Sequence, residues 1–476
     1  MPAHRCLTLK IALAGSMLSL AAVVVTLCRL QVVPLTSIDA AAANARTLWP
    51  FWIASGLCWA TLTGLWLVIR RQRPAGGPTA AMLVIGVAVT ARVIVLVAGE
   101  PVLSDDVYRY AFDGGNLAHG INPYTVRPRD RLDDPAFAQR WPGEAELLPR
   151  MNNPEMTTIY LPTSQWVFAA TPTNSTRVYR AVFTAFDVAV IALILVGLAR
   201  AGRSSWWAAL YAWHPMPLAE IAGSGHQESL GILLLVATLL VADRLPRRVW
   251  VWTGLLAAAT LVKPVVFPVA AFVLKGQRAR MWLLSFAVGV VVCTALAAPL
   301  WLTDRGEPLQ QLLETADRFR LKWAHFGSVY EPLLWTVEKL RPQWTNDAQE
   351  VLARRICTAM VIAVLAGVWW RGPPGLWART RWIMLAMVLL SPTAHPWYLL
   401  WALAMVPMAP GLATWVASLT LSWSYVAWMN VAADGTAAWG VSPWIMLGAY
   451  APIYVILALL LYRGCRSTES STRSTP

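Results

Sequence analysis

Residues 249–275, VWVWTGLLAAATLVKPVVFPVAAFVLK, form an apolar run with basic residues at both ends: Arg247 and Arg248 before it, Lys275, Arg278 and Arg280 around its exit. Basic residues beside apolar spans collect on the cytoplasmic side, so both ends of this run belong on one face. A run that starts and finishes on one face must enter the bilayer and return. Its backbone interruption is Lys263-Pro264, where proline removes an amide donor and blocks the preceding helical turn. Two short spans, or a re-entrant pair, hinged there satisfy both conditions and put the hinge near the outer surface.

Similar apolar segments recur at about 11–30, 50–70, 79–98, 178–199, 204–222, 226–243, 281–301, 351–370, 381–392, 395–409, 411–430 and 441–462. Since about 20 apolar residues match a hydrocarbon core of about 30 Å, they predict an all-α integral membrane protein with about 12–14 transmembrane helices. Short arginine-rich connectors (Arg70, Arg71 and Arg73; Arg200 and Arg203; Arg371, Arg379 and Arg381; Arg463 and Arg466) fit a single cytoplasmic face. Two long polar loops, about 100–177 and 303–350, then lie outside. The first run, Ile11 to Cys28 after His4, Arg5 and Lys10, is long enough to cross and lacks a small-residue cleavage site. It reads as an uncleaved span rather than a secretory signal. Residues 1–466 form one polytopic domain, and the Ser/Thr-rich 467–476 reads as a disordered cytoplasmic tail.

Composition agrees. The 476 residues are 57% hydrophobic and 13% charged, which excludes a water-soluble globular chain. Twenty-seven Trp, 32 Pro and 29 Gly suit interfacial aromatic belts and broken membrane helices, not a coiled coil or a disordered chain. An excess of 39 Lys+Arg over 25 Asp+Glu, net +14, would suggest nucleic acid in a soluble protein. Here it caps the spans, and no nucleic-acid partner is expected. The six cysteines are scattered without metal-ligand spacing, so no redox or metal role is assigned to them. No cofactor is indicated, and a divalent cation stays open.

Residues with chemistry gather on the outer side. SDDVYRYAFD (104–113) directly follows the third span. At 100° per residue Asp105, Asp106, Arg109, Asp113 and Asn116 share an arc of about 100°, with Val107, Ala111 and Ala118 opposite. This predicts a helix lying on the membrane with one acidic face. Gly114 and Gly115, each costing about 1 kcal/mol relative to Ala, are expected to break it. The pattern fits a solvated face with an internal Arg109 pair. It equally fits two adjacent carboxylates at a cavity mouth, where burial and like charge lift one pKa towards a working base.

EIAGSGHQE (220–228) interrupts two apolar segments, leaving His226 and Glu228 at a helix start as caps or as parts of an anion site. Glu220 is a carboxylate inside an apolar segment, costly unless water is near. Lys263 has apolar sequence on both sides and needs a counter-charge or water. His395, in SPTAHPWY (391–398), lies on the same side. In DRFRLKW (317–323), Arg318, Arg320 and Lys322 suit a phosphate clamp or a solvated charge run. Asp187, in the fourth span, reads as a structural hydrogen-bonding residue.

The runs SDDVYRYAFDGGNLAHGINPY (104–124), TTIYLPTSQ (157–165), HPMPLAEIAGSGHQES (214–229), LVKPVVFPVA (261–270) and SPTAHPWYLLW (391–401) resemble, in this order, bacterial GT-C type polytopic membrane glycosyltransferases. Within that group the chain is most similar to the polyprenol-phosphate-mannose-dependent alpha-mannosyltransferases. The resemblance implies a GT-C-like fold in a bacterial inner (plasma) membrane. It implies transfer of a hexose, here mannose, from a polyprenyl-phosphate donor to an extracytoplasmic glycan or lipid acceptor by inverting displacement. Asp105 or Asp106 would be the base, with donor contacts from Arg109, Asp113, Glu220, His226, Glu228, Lys263, Arg318, Arg320, Lys322 and His395. Two positions depart from the pattern: His226-Gln227-Glu228 replaces the common His-Asn-Asp, and Phe112-Asp113-Gly114-Gly115 the frequent Trp-Asp-Gly-Arg. A transporter or flippase of lipid-linked sugars is the rival class, but it would hold its ionisable residues near the bilayer midplane, not at the outer ends.

Overall fold

The computed structural model describes residues 2–34, 37–132, 141, 143–171, 173–430 and 440–472, and the side chains of these from residue 6 to 462 except Leu132 and Lys322. Among them the chain is helical without a strand. Isolated bridges tie His325 and Phe326 to Thr393.

Seven helices are long and apolar enough to cross a membrane, by length and composition. They include α1 (Pro2–Cys28), α2 (Ile38–Gln72), α3 (Pro78–Ala98) and, further on, Thr176–Arg200, Ala279–Trp301, Asn346–Arg371 and the start of Pro443–Thr472. The expected 12–14 crossings are therefore not 12–14 long helices. The remaining apolar segments are built of shorter pieces, and proline explains most breaks. The segment 204–222 becomes a 3-10 turn, two short helices and a π turn (Leu218–Gly223), with Pro215 and Pro217 at its centre. Pro264 and Pro268 divide Val249–Thr260 from Val269–Leu274, as the hinge at Lys263-Pro264 predicts. Pro396 does the same after Leu376–Leu390. The last helix continues to Thr472, through the start of the segment expected to be a disordered tail, and 473–476 lie outside the described residues.

The bundle is held by packing, since lipid is as apolar as leucine and gives little hydrophobic drive between helices. Leu62, Val84, Ile191 and Leu235, one each from α2, α3, Thr176–Arg200 and Glu228–Arg244, have no exposed surface and belong to one apolar core. By contrast Leu283, Phe286 and Val291 are exposed on Ala279–Trp301, the pattern of a lipid-facing helix. Arg180 supplies a polar stitch near the N-terminal end of Thr176–Arg200. Its guanidinium donates to Ala222 O (2.9 Å), Gly99 O (2.7 Å) and Val95 O (2.9 Å). One side chain thus joins Thr176–Arg200, the end of α3 and the π turn, and the next residues of both partners enter the site.

Candidate active site

Beyond Gly99 the chain forms α4 (Asp106–Ala118), with Asp105 as its N-cap. The helix does not present a solvated acidic face, because Arg109, Asp113 and Asn116 are buried against Pro162–Ala169 and neighbouring loops. Nor do the glycines break it. A Cβ at Gly114 would stand 2.4 Å from Phe168 O, and one at Gly115 would stand 2.6 Å from the Trp141 ring. The glycines permit close approach there, which offsets their cost in helix propensity.

The first turn of α4 opens into a cavity of about 610 Å3. Of the predicted residues, Asp105, Asp106, Arg109, Glu228, Lys263 and His395 line it, drawn from four distant parts of the chain. Asn152 donates to Asp105 Oδ1 at 2.6 Å and to Asp106 Oδ1 at 3.2 Å, holding the carboxylates side by side. Burial lifts both Asp105 and Asp106 above the ordinary carboxylate range; at Asp106, His226 opposes the rise and Asp105 adds to it. Arg109 donates to Met156 O and faces Asp113 Oδ1 at 3.4 Å, while Asp113 also accepts from Gln165 at 3.1 Å. Asp113 is not a cavity residue. It orients Arg109 from behind.

His226 and Glu220 also stand behind the wall. His226 Nδ1 lies 3.7 Å from Asp106 Oδ2 and Nε2 lies 3.5 Å from Glu220 Oε2, with the ring stacked on Trp397 at 4.0 Å. Tyr425 Oη donates to both Glu220 oxygens, at 2.8 and 2.9 Å. A neutral imidazole has one N–H and one lone pair. At these separations neither ring nitrogen is hydrogen-bonded, so the ring stands between Asp106 and Glu220 as a close neighbour of both.

Lys263 donates to Glu228 Oε1 at 2.9 Å and sits 3.5 Å above the Tyr398 ring, which supplies the counter-charge its apolar surroundings require. His395 is stacked between Trp397 (4.2 Å) and His325 (4.9 Å). Burial holds His325 below the usual histidine range. Two of the three expected phosphate ligands on the loop after 303 fall elsewhere. The helix Glu307–Lys322 turns Phe319, and Trp323 just after it, to the cavity, one turn apart. That leaves Arg318 and Arg320 exposed and off the cavity lining, with Arg320 paired to Asp317 at 2.6 Å. The side chain of Lys322 lies outside the described residues. Asn152, His325, Trp397, Tyr398 and Tyr425 were not singled out in the sequence. Trp397 and Tyr398 adjoin His395 in a quoted motif, whereas Asn152 and Tyr425 carry no local signal.

Gly225 fixes how His226 reaches this wall. It adopts φ +84°, and a Cβ there would lie 2.9 Å from Arg180 Cγ and 3.2 Å from Val107 Cγ2. Gly225→Ala is therefore expected to cost about 1–3 kcal/mol through strain and overpacking. Thermal unfolding of the purified variant measures the loss. An unchanged midpoint would mean that the turn is not constrained.

Residues 8–276, more than half of the chain, match the family model described as alpha-(1->6)-mannopyranosyltransferase, N-terminal domain, of the MptA_B family. No curated protein and no solved structure matches the chain. The matched span brings Asp105, Asp106, Glu228 and Lys263 to the cavity, while His325, His395 and Trp397 come from beyond it. The chain belongs to this alpha-(1->6)-mannopyranosyltransferase family and is a membrane mannosyltransferase.

Proposed function

We infer that the cavity transfers mannose from a polyprenyl-phosphate donor to a glycan or lipid acceptor on the extracytoplasmic side of a bacterial plasma membrane. The observation that carries this is the convergence of Asp105 and Asp106 with Lys263 and His395 on one cavity. Asp105 is the base. Asp106 is faced on both oxygens, by Asn152 and His226, whereas Asp105 spends Oδ1 on Asn152 and keeps Oδ2 for a substrate hydroxyl. The acceptor hydroxyl gives its proton to Asp105 as its oxygen bonds to the anomeric carbon. The bond from that carbon to the phosphate oxygen breaks, and the electron pair leaves with the lipid phosphate. A single displacement converts a beta-linked donor into an alpha-linked product. Lys263 meets the growing charge on the phosphate, with His395 and His325 as further donors. No step calls for a metal or cofactor.

The test supplies labelled polyprenyl-phosphate mannose, or a nucleotide-linked mannose, to purified protein with a mannan acceptor. Covalent product from the lipid donor alone is expected. Product from the nucleotide donor alone would overturn the donor assignment, and lipid movement across vesicles without product would indicate a flippase. In the same assay Lys263→Gln, which keeps a hydrogen bond to Glu228, is expected to lower transfer about 10²-fold. Arg318→Gln with Arg320→Gln should change it by less than about twofold, as for exposed charges off the site. The reverse ranking would return the phosphate to the outer helix.

A further inference from the structure

A second cavity, of about 860 Å3, lies at the far end of α3 from the active site. It forms where the turn from α2 to α3 meets the loop after Thr176–Arg200. Since α3 has 21 residues rising about 1.5 Å each, roughly 30 Å separates the two cavities, the thickness of a hydrocarbon core. The second cavity therefore sits at the opposite headgroup level, beside the arginine-rich connectors.

Its chemistry contrasts with that of the active site. There, Arg109 faces Asp113 and Lys263 is paired with Glu228. Here Arg70, Arg73 and Arg203 line the cavity and no Asp or Glu does. Arg203 is held by Met408 O and by the Trp207 ring at 5.1 Å, so its charge is fixed at the wall. Arg70 and Arg73 are exposed and have no carboxylate partner among the described residues. Ser204 adds a buried hydroxyl without a hydrogen-bond partner on the same wall. Ile69 and Leu195 form an apolar flank. Topology alone asks for basic residues near the ends of spans. It does not ask that three guanidiniums and an unsatisfied hydroxyl converge on one concave surface.

We propose that this cavity is a phosphate-ester site, with Arg70 and Arg73 forking onto the phosphate and Arg203 as the fixed third charge. Guanidinium geometry matches phosphate oxygens in pairs, and a basic pocket between helices at the headgroup level suits an anionic lipid. A soluble phosphate compound presents the same chemistry. The two sources separate by experiment.

Purified full-length protein is equilibrated with mixed micelles containing phosphatidylglycerol or phosphatidylcholine, and retained lipid is counted by native mass spectrometry. Binding of inorganic phosphate is measured in parallel by calorimetry. The variants are Arg70→Gln with Arg73→Gln and, as control, Arg71→Gln, an exposed neighbour off the cavity. If the ligand is a lipid, phosphatidylglycerol is retained over phosphatidylcholine, and the double variant weakens it about 25-fold, two charges at about fivefold each, while the control holds. If it is soluble, inorganic phosphate binds and the double variant alone loses it. Equal loss in the control, or neither ligand bound by the wild type, would overturn the site. Mannosyl transfer by the double variant confirms that it is folded.

Discussion

Asp105→Asn is expected to cut mannosyl transfer by about 10² to 10⁴-fold, the usual contribution of a positioned base. The loss falls on kcat with KM little changed, because an amide of the same shape keeps the hydrogen bond from Asn152 but cannot take a proton. Asp106→Asn, which disturbs His226 and its link to Glu220, should cost less. Steady-state rates with the lipid donor decide the ranking, and full transfer by both variants would remove the base. A pH profile adds an independent reading. Burial raises the Asp105 carboxyl, so the working carboxylate is lost as pH falls through a value above the ordinary aspartate pKa of about 3.9. The acid limb of kcat should therefore lie above that value in the wild type and flatten in Asp105→Asn.

What could be read from the residues was set by local periodicity and by charge in apolar surroundings. The 100° spacing of Asp105, Arg109 and Asp113 placed them on one face, and the structure keeps that face while burying it. Lys263 beside proline announced both the hinge and the need for a partner, met by Glu228 and Tyr398. The failures share one cause: neighbours distant in sequence. Gly114 and Gly115 look like breakers until Phe168 and Trp141 are seen pressing on them. Arg318 and Arg320 look like a clamp, but Phe319 and Trp323 own the inward side of that helix. Asn152 acts through Asp105 and Asp106, 47 and 46 positions away, and Tyr425 through Glu220, 205 positions away, and nothing local marks either of them. Several apolar segments are short pieces rather than single long helices for a related reason, since hydropathy sums across prolines that divide the backbone.

The opposite outcome is expected for another aspartate of the N-terminal half, Asp187. It accepts from Arg92 Nε at 2.7 Å and Tyr211 Oη at 2.6 Å, and pairs with Arg92 Nη2 at 2.6 Å, the two charged side chains being 1% and 0% exposed. Arg92 also donates to Ala212 O at 2.8 Å. Asp187→Ala strands a buried guanidinium and should destabilise the protein by about 3–5 kcal/mol, read as a lowered unfolding midpoint in detergent. Arg92→Met, Asp187→Leu and Tyr211→Phe together should recover part of that, since the carboxylate, guanidinium and phenol leave together and the carbonyl of Ala212 is the group that loses a donor. A tolerated Asp187→Ala would show that water or lipid headgroups reach Arg92. Asp105 and Asp187 thus differ not in residue type but in how their negative charge is met. Asp187 is neutralised by a fixed cation that locks α3 to Thr176–Arg200, so its loss unfolds. Asp105 is held by a neutral amide and left open towards a cavity, so its loss should leave a folded protein that no longer accepts the proton.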